Sequence, residues 1–414
     1  MIQQNLAIKA GGSASNAFDL FTKHITNLSE DIHWLLLISG FILFEINSEL
    51  EQSNIPTEIM KYSIVCSSFV DLNLVNKLFA SLNQLSPIQP SQTVNNITSS
   101  VNLSLIEATL SETDRCDPII RLFYNSFQLC ELENYMFNLN LLQYISPQVA
   151  TTLMWFLKEL SRSYLFMRER NYEELSPSLQ LVFGQDTECG VLILSYLLRK
   201  LSINFYIWSA ENTTTIQTAK LLLEIVKHKE MSKILLQNEQ FWAISKVAVI
   251  NEMPWILLPS NVKKIIIKSL VVSCSTQNLT GQNEMQIHFF NTILKPLSER
   301  FDALTLLKSE SVHTESCIKE VMSLIETMNG VIEGSTKNLI KDLMPFVLPR
   351  LQQAVQLLDV YHNYGEIVEL ILFMFNCIIE KFLAHLSDWP DAKNQIYHCF
   401  LCLIQVFSKH NSGT

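Results

Sequence analysis

From Asp186 to the C-terminus, apolar residues recur at spacings of three and four in segments of roughly 12–25 residues, split by short polar joints. The segments group in pairs about every 40 to 55 residues, near the ~40–47-residue period of HEAT and armadillo units. One pair of helices cannot bury both of its apolar faces, so neighbours must stack. The expected fold is all-α, with HEAT-like helical repeats stacked into a right-handed superhelical solenoid. A compact all-α domain is the alternative. With 10 Gly and 12 Pro in 414 residues, turn-rich β architectures and glycine-rich phosphate loops are disfavoured.

Four regions are expected. Residues 1–13 read as a disordered tail and 14–82 as helical repeats. Residues 83–113 are rich in Asn, Ser, Thr and Pro and read as a polar linker or long loop, and 114–414 as further repeats. Within the first array, Asn16 to Leu28 reads as one amphipathic helix. A second is expected over Ser29–Glu45, with Ser29 as its N-cap and Glu30 and Asp31 in its first turn. Its run from Ile32 to Phe44 is almost wholly apolar but shorter than the ~20 residues of a membrane span, so it reads as a buried core helix. Trp34, Leu37, Phe41 and Phe44 are expected in the core, and Gly40 at a close helix approach. Pro56 fits the first position of a short helix. Asp117-Pro118, Ser146-Pro147 and Ser176-Pro177 each read as cap-plus-proline helix starts, with Gly184 as a stop and Asp186 or Thr187 as a cap. Pro296, Pro345 and Pro349 fall inside helical patterns and should kink or break them.

Little points to chemistry. No phosphate-loop, dinucleotide, zincin or nucleophile-elbow motif is present. The nine cysteines follow no framework spacing and read as free, mostly buried thiols. Cys399 and Cys402, with His398, mimic a metal motif. Two more suitably spaced ligands are missing, and a helix puts both thiols on the core side. The acidic pairs Glu30/Asp31, Glu173/Glu174 and Asp388/Asp391 lie at helix starts or in loops, where capping and solvation are the ordinary roles. Lys263, Lys264 and Lys268 form a small basic patch that reads as a solvated face or a contact to an acidic protein. A net charge of −10 argues against duplex nucleic acid. No catalytic, cofactor or metal residue is expected, so the chain does not read as an enzyme.

Several stretches go further together. HWLLLISGFILFE (33–45), IPTEIMKYSI (55–64), SPQVATTLMWFLKELSRSYL (146–165), FGQDTE (183–188), IWSAE (207–211), LKPLSERF (294–301) and LIQVFSKHNSG (403–413) resemble, in order, stretches of the exportin-4 family. These are nuclear transport receptors of the importin-β (karyopherin-β) superfamily. The resemblance runs from about residue 18 to the C-terminus, and the polar 83–113 stretch contributes nothing to it. It implies a HEAT superhelix that wraps protein cargo together with Ran in its GTP state and shuttles between nucleus and cytoplasm past nucleoporins. The implied cargo is the hypusine-bearing translation factor 5A, with Smad export and Sox import as other routes. It also implies a middle segment without a complete importin-β N-terminal domain. No motif marks individual cargo or Ran contacts. A HEAT scaffold with no Ran-dependent role is the alternative reading.

Overall fold

The computed structural model describes residues 14–45, 54–80, 116–249 except 168, 255–276, 283–305 and 312–411 except 388. The expected tail at 1–13 and the polar stretch at 83–113 lie outside them. Among the described residues every regular element is helical, and the chain divides into two units, Met1–Leu221 and Leu222–Thr414.

In the first unit, α1 (Ala14–Leu43) precedes α2 (Thr57–Ser67) and α3 (Leu72–Ala80). Then come α4 (Pro118–Asn138), α5 (Pro147–Ser163), α6 (Pro177–Phe183) and α7 (Glu188–Ile207). Helix α8 (Asn212–Lys227) follows, and the division falls inside it. Helix α4 is the hub and packs on α5, α6 and α7, while α1 lies along α5. Three caps form as the sequence implies, one of them at Ser176, which accepts from the Leu179 N–H at 3.4 Å. Asp117 accepts from the Ile119 N–H at 2.9 Å, and Thr187 accepts from the Gly190 N–H at 3.2 Å. Ser146 precedes Pro147 without a side-chain cap bond, and Pro56 occupies the N-cap position rather than the first helical one.

The N-terminal reading needs correcting. The two expected helices are one, because nothing between Asn16 and Leu43 interrupts the backbone pattern. Ser29 is therefore interior, and Glu30 and Asp31 are exposed mid-helix acids. Burial is also one-sided. Leu36, Leu43 and Phe44 are buried, Leu37 is half-buried, but Trp34 and Phe41 are 54% and 67% exposed. Helix α5 covers one face of α1, and the opposite apolar face is left open. The close approach at Gly40 does occur: a Cβ there would lie 2.5 Å from the Trp155 ring. Phe44 enters a ring cluster with Phe123, Phe156 and Tyr164, centroids 5.2–6.3 Å from its own. The Tyr164 hydroxyl donates to the Leu43 carbonyl at 3.0 Å. Helix α7 is long and apolar enough for a membrane span, but 67% of its apolar window is buried inside this unit.

The second unit holds α9 (Lys229–Leu236), α10 (Glu239–Val247) and α11 (Ser260–Thr276). A run of α12 (Asn283–Phe289), a π turn (Phe290–Leu294) and α13 (Lys295–Thr305) follows. Last come α14 (Glu315–Gly334), α15 (Lys337–Tyr361), α16 (Gly365–Lys381) and α17 (Pro390–Asn411). The packing alternates. Helices α9, α11, α14 and α16 stack on one another in order, and so do α13, α15 and α17. Sequence neighbours such as α13 and α14, or α15 and α16, pair across the two layers. Alternate stacking with neighbour pairing is the geometry of a helical repeat, in which each unit buries the face its neighbour presents.

The prolines behave differently from one another. The π turn ends just before Pro296; a carbonyl reached from five residues on needs no N–H from the proline. Helix α15 is not broken at Pro345 or Pro349. Each interior proline costs ~3 kcal/mol. Burial of Met344, Phe346, Val347 and Leu351 around them contributes ~1.5–3 kcal/mol per side chain, which outweighs that cost.

Candidate functional site

The basic patch read from the sequence is not a free cationic face. Lys263 is buried at 3% exposure. Lys264 Nζ lies 2.6 Å from Glu333 Oε1 and 3.7 Å from Glu326, and Lys268 Nζ is 2.7 Å from Glu333 Oε2. Lys381 donates to the Glu333 backbone carbonyl, and Lys264 sits 4.5 Å above the Phe373 ring. Stacking of α11 on α14 and α14 on α16 thus turns the patch into an internal charge ladder. Burial alone would raise the Glu333 carboxyl, but hydrogen bonds from Lys264 and Lys268 hold it below its usual range. Glu326 is pushed up by burial and by the Glu333 charge, despite Lys264. Lys381 is pulled down by burial and by Lys268.

Two glycines bring this ladder together. A Cβ at Gly330 would fall 2.5 Å from the Lys264 carbonyl oxygen, and one at Gly334 would fall 2.7 Å from that of Lys268. Four residues apart, they share one face of α14. Backbone therefore packs on backbone, and the lysine stems reach Glu333 without spanning a side-chain layer.

The first unit carries its charges deeper. Lys200 on α7 bonds Glu133 at 3.1 Å and Asn134 at 3.0 Å on α4, and Trp208 donates its indole N–H to Glu133. Arg199 pairs with Glu131, which also accepts from the Tyr196 hydroxyl at 3.0 Å. Asp117 accepts from Ser63 and Ser178 while capping α4. These pairs tie helices together within the unit, and none opens onto a cleft with an acid–base partner.

The remaining sequence candidates stay apart. Glu173, Glu174 and Asp391 are exposed, and Asp388 is outside the described residues. Cys399 is buried and Cys402 half-buried; His398 Nε2 is 3.8 Å from the Cys402 sulfur. No three His, Cys, Asp or Glu side chains converge to hold a metal among the described residues. Cavities open in both units. One of about 470 Å³ in the first unit lies beside His33, where His33 Nδ1 is 2.7 Å from Thr152 Oγ1. One of about 570 Å³ in the second unit lies where α14 begins.

Sequence reasoning missed Glu333, Glu133 and Glu131 as partners, because pairing across helices leaves no local spacing to read. The Gly330-x-x-x-Gly334 spacing was the available signal for the close pair. The arrangement as a whole offers helix faces and grooves for recognition rather than a reaction centre.

Comparison with known proteins matches that character. A family model described as Exportin-4 matches residues 88–414, and so runs through most of the polar stretch that carried no resemblance. The "Exportin-4" of Dictyostelium discoideum is 23% identical over 391 residues, covering 92% of this chain. The chain spans 30% of the length of that relative.

Proposed function

Since the chain belongs to the exportin-4 family, whose members are nuclear export receptors, we propose that it forms the cargo-binding array of such a receptor, acting cooperatively with Ran in its GTP state. The observation that carries this reading is the alternating stack of the second unit, all of it inside the matched region. A stack of this kind changes curvature by small rotations at every helix pair, so two ligands that favour one curvature raise each other's affinity reciprocally. GTP hydrolysis removes one partner and weakens the grip on the other. Protein cargo, including the hypusine-bearing translation factor 5A and Smad or Sox proteins, passage past nucleoporins, and shuttling between nucleus and cytoplasm belong to this reading. The uncovered apolar stripes, Trp34, Ile38 and Phe41 on α1 and Tyr397, Leu401 and Ile404 on α17, are the faces we assign to packing against further repeats.

The test uses the gene product that carries this chain. Its affinity for hydrolysis-deficient Ran·GTP is measured with and without factor 5A, and for factor 5A with and without Ran. The expected result is the same factor of enhancement in both directions. Cargo binding indifferent to the nucleotide state of Ran would replace this reading with a HEAT scaffold.

A further inference from the structure

Lys263, in the first turn of α11, is 3% exposed and has no hydrogen-bond or ion-pair partner among the described residues. Its side chain lines the cavity of about 570 Å³. Glu320, the carboxylate that acts on Lys263 and shares the cavity wall, is engaged by Arg300, whose Nε and Nη2 lie 2.8 and 2.7 Å from Oε1. Arg300 also donates to the Val249 carbonyl at 3.0 Å, so both groups are committed. Taking an ammonium out of water without a counter-charge is costly. Burial, and then repulsion from Arg300, pulls the Lys263 ammonium below its usual range, with Glu320 opposing in part.

Two further features face the same space. The 20-residue helix α14 begins at its rim, with Thr314 as N-cap and Ser316 in the first turn lining the cavity. The positive end of a helix dipole favours an anion there. Ser323, one further lining residue, has a buried hydroxyl without a hydrogen-bond partner. The acids near the rim do not fill this role: Glu315 is exposed and pairs with Lys319, and Glu320 is held by Arg300. Ser260, Cys317 and Lys319, the last paired with Glu315, also line the cavity, and Leu258, Leu304 and Met322 give it an apolar wall. A doubly charged phosphate would lose its hydration against such a wall, whereas a single carboxylate on an apolar stem meets ammonium, helix end and hydrocarbon together.

We propose that this cavity is a docking site for an acidic side chain of a partner polypeptide, with the carboxylate at Lys263 and its apolar neighbours against Leu258, Leu304 and Met322. The proposal deepens the receptor reading by assigning one contact class, yet it stands on the cavity alone and involves neither Ran nor transport.

The test is competitive acylation of lysines in the full 414-residue chain at neutral pH, read at Lys263 by mass spectrometry. The probes are the capped tripeptide acetyl-Leu-Glu-Leu-amide, its Gln counterpart, and inorganic phosphate. The Glu peptide is expected to slow Lys263 labelling about threefold at twice its Kd, following one-site mass action. The Gln peptide and phosphate are expected to leave the rate unchanged. Equal protection by the Gln peptide, or by phosphate, would overturn the proposal, as would no protection by the Glu peptide up to solubility. A second arm uses Lys263→Met, which removes the buried charge at similar volume. It is expected to raise Tm in the absence of peptide and to abolish peptide binding by calorimetry. Unchanged peptide affinity in this variant would equally sink the site.

Discussion

Glu333 joins three lysines of the second unit. Its carboxylate is bonded by two ammoniums from α11, and its own backbone carbonyl takes a third from α16. Its carboxyl is held below the usual range, so its contribution is fully present above the unfolded value of ~4.3 and is lost as pH falls through the lower folded value. Glu333→Gln keeps the shape and removes the charge. It should cost about 1–3 kcal/mol at pH 7, because two half-buried lysines lose a charged partner. As pH falls below the unfolded value of ~4.3 towards the lower folded value, the difference from the parent chain should narrow. Urea midpoints at pH 7 and pH 3.5 check both statements; a penalty that persists undiminished in acid would show that shape, not charge, is what Glu333 supplies.

At the element scale, α17 separates two kinds of apolar residue on one helix. Ile396 is fully buried against α15, whereas Ile404 is 58% exposed. Ile396→Ala is expected to cost about 2–5 kcal/mol through transfer and cavity formation. Ile404→Ala is expected to stay within about 0.5 kcal/mol. Equal losses in urea denaturation would mean that the exposed face is covered in solution. This contrast also marks what a sequence can and cannot say. Caps and prolines at Asp117, Thr187 and Pro147 are local chemistry, and they set helix starts within a residue or two. The period of apolar residues shows that a helix exists and is apolar. Which side is covered depends on the neighbour, so Trp34 and Phe41 read as core and emerge exposed. The helix break expected at Ser29 failed for a related reason: a serine can cap a helix or sit inside one, and only the backbone upstream decides. The basic patch failed because its counter-charge lies some 65 residues away on α14. The lack of a nucleotide-binding motif was legible from residue types alone. The cavity beside Lys263 was not, since three separate helices compose it.

In the alternating stack of the second unit, stability is a sum over neighbouring pairs rather than one shared core, and cooperativity weakens with array length. Buried thiols provide local reporters of this. Burial pushes Cys130 up to about 12 and Cys116 up to about 11, and drives Cys274 higher still. Cys402 is half-buried on the last helix. Pulsed thiol labelling through a urea series should therefore expose Cys402 well before Cys274, with no single midpoint describing both. Coincident exposure of all the buried cysteines would show instead that the chain unfolds as one block.

The glycine contact between α11 and α14 has a mechanical consequence. With carbonyls wedged where side chains would ordinarily sit, this joint has no soft hydrocarbon layer to shear, and its neighbours can slide only by colliding. Among the described residues no other glycine of the second unit makes such an approach, and the π turn ahead of Pro296 is already wider than a regular helical turn. Elastic strain imposed on the second unit should therefore concentrate away from Gly330 and Gly334. The array would flex as a spring with one welded coil, and that coil sets which of its bending modes remain low in energy.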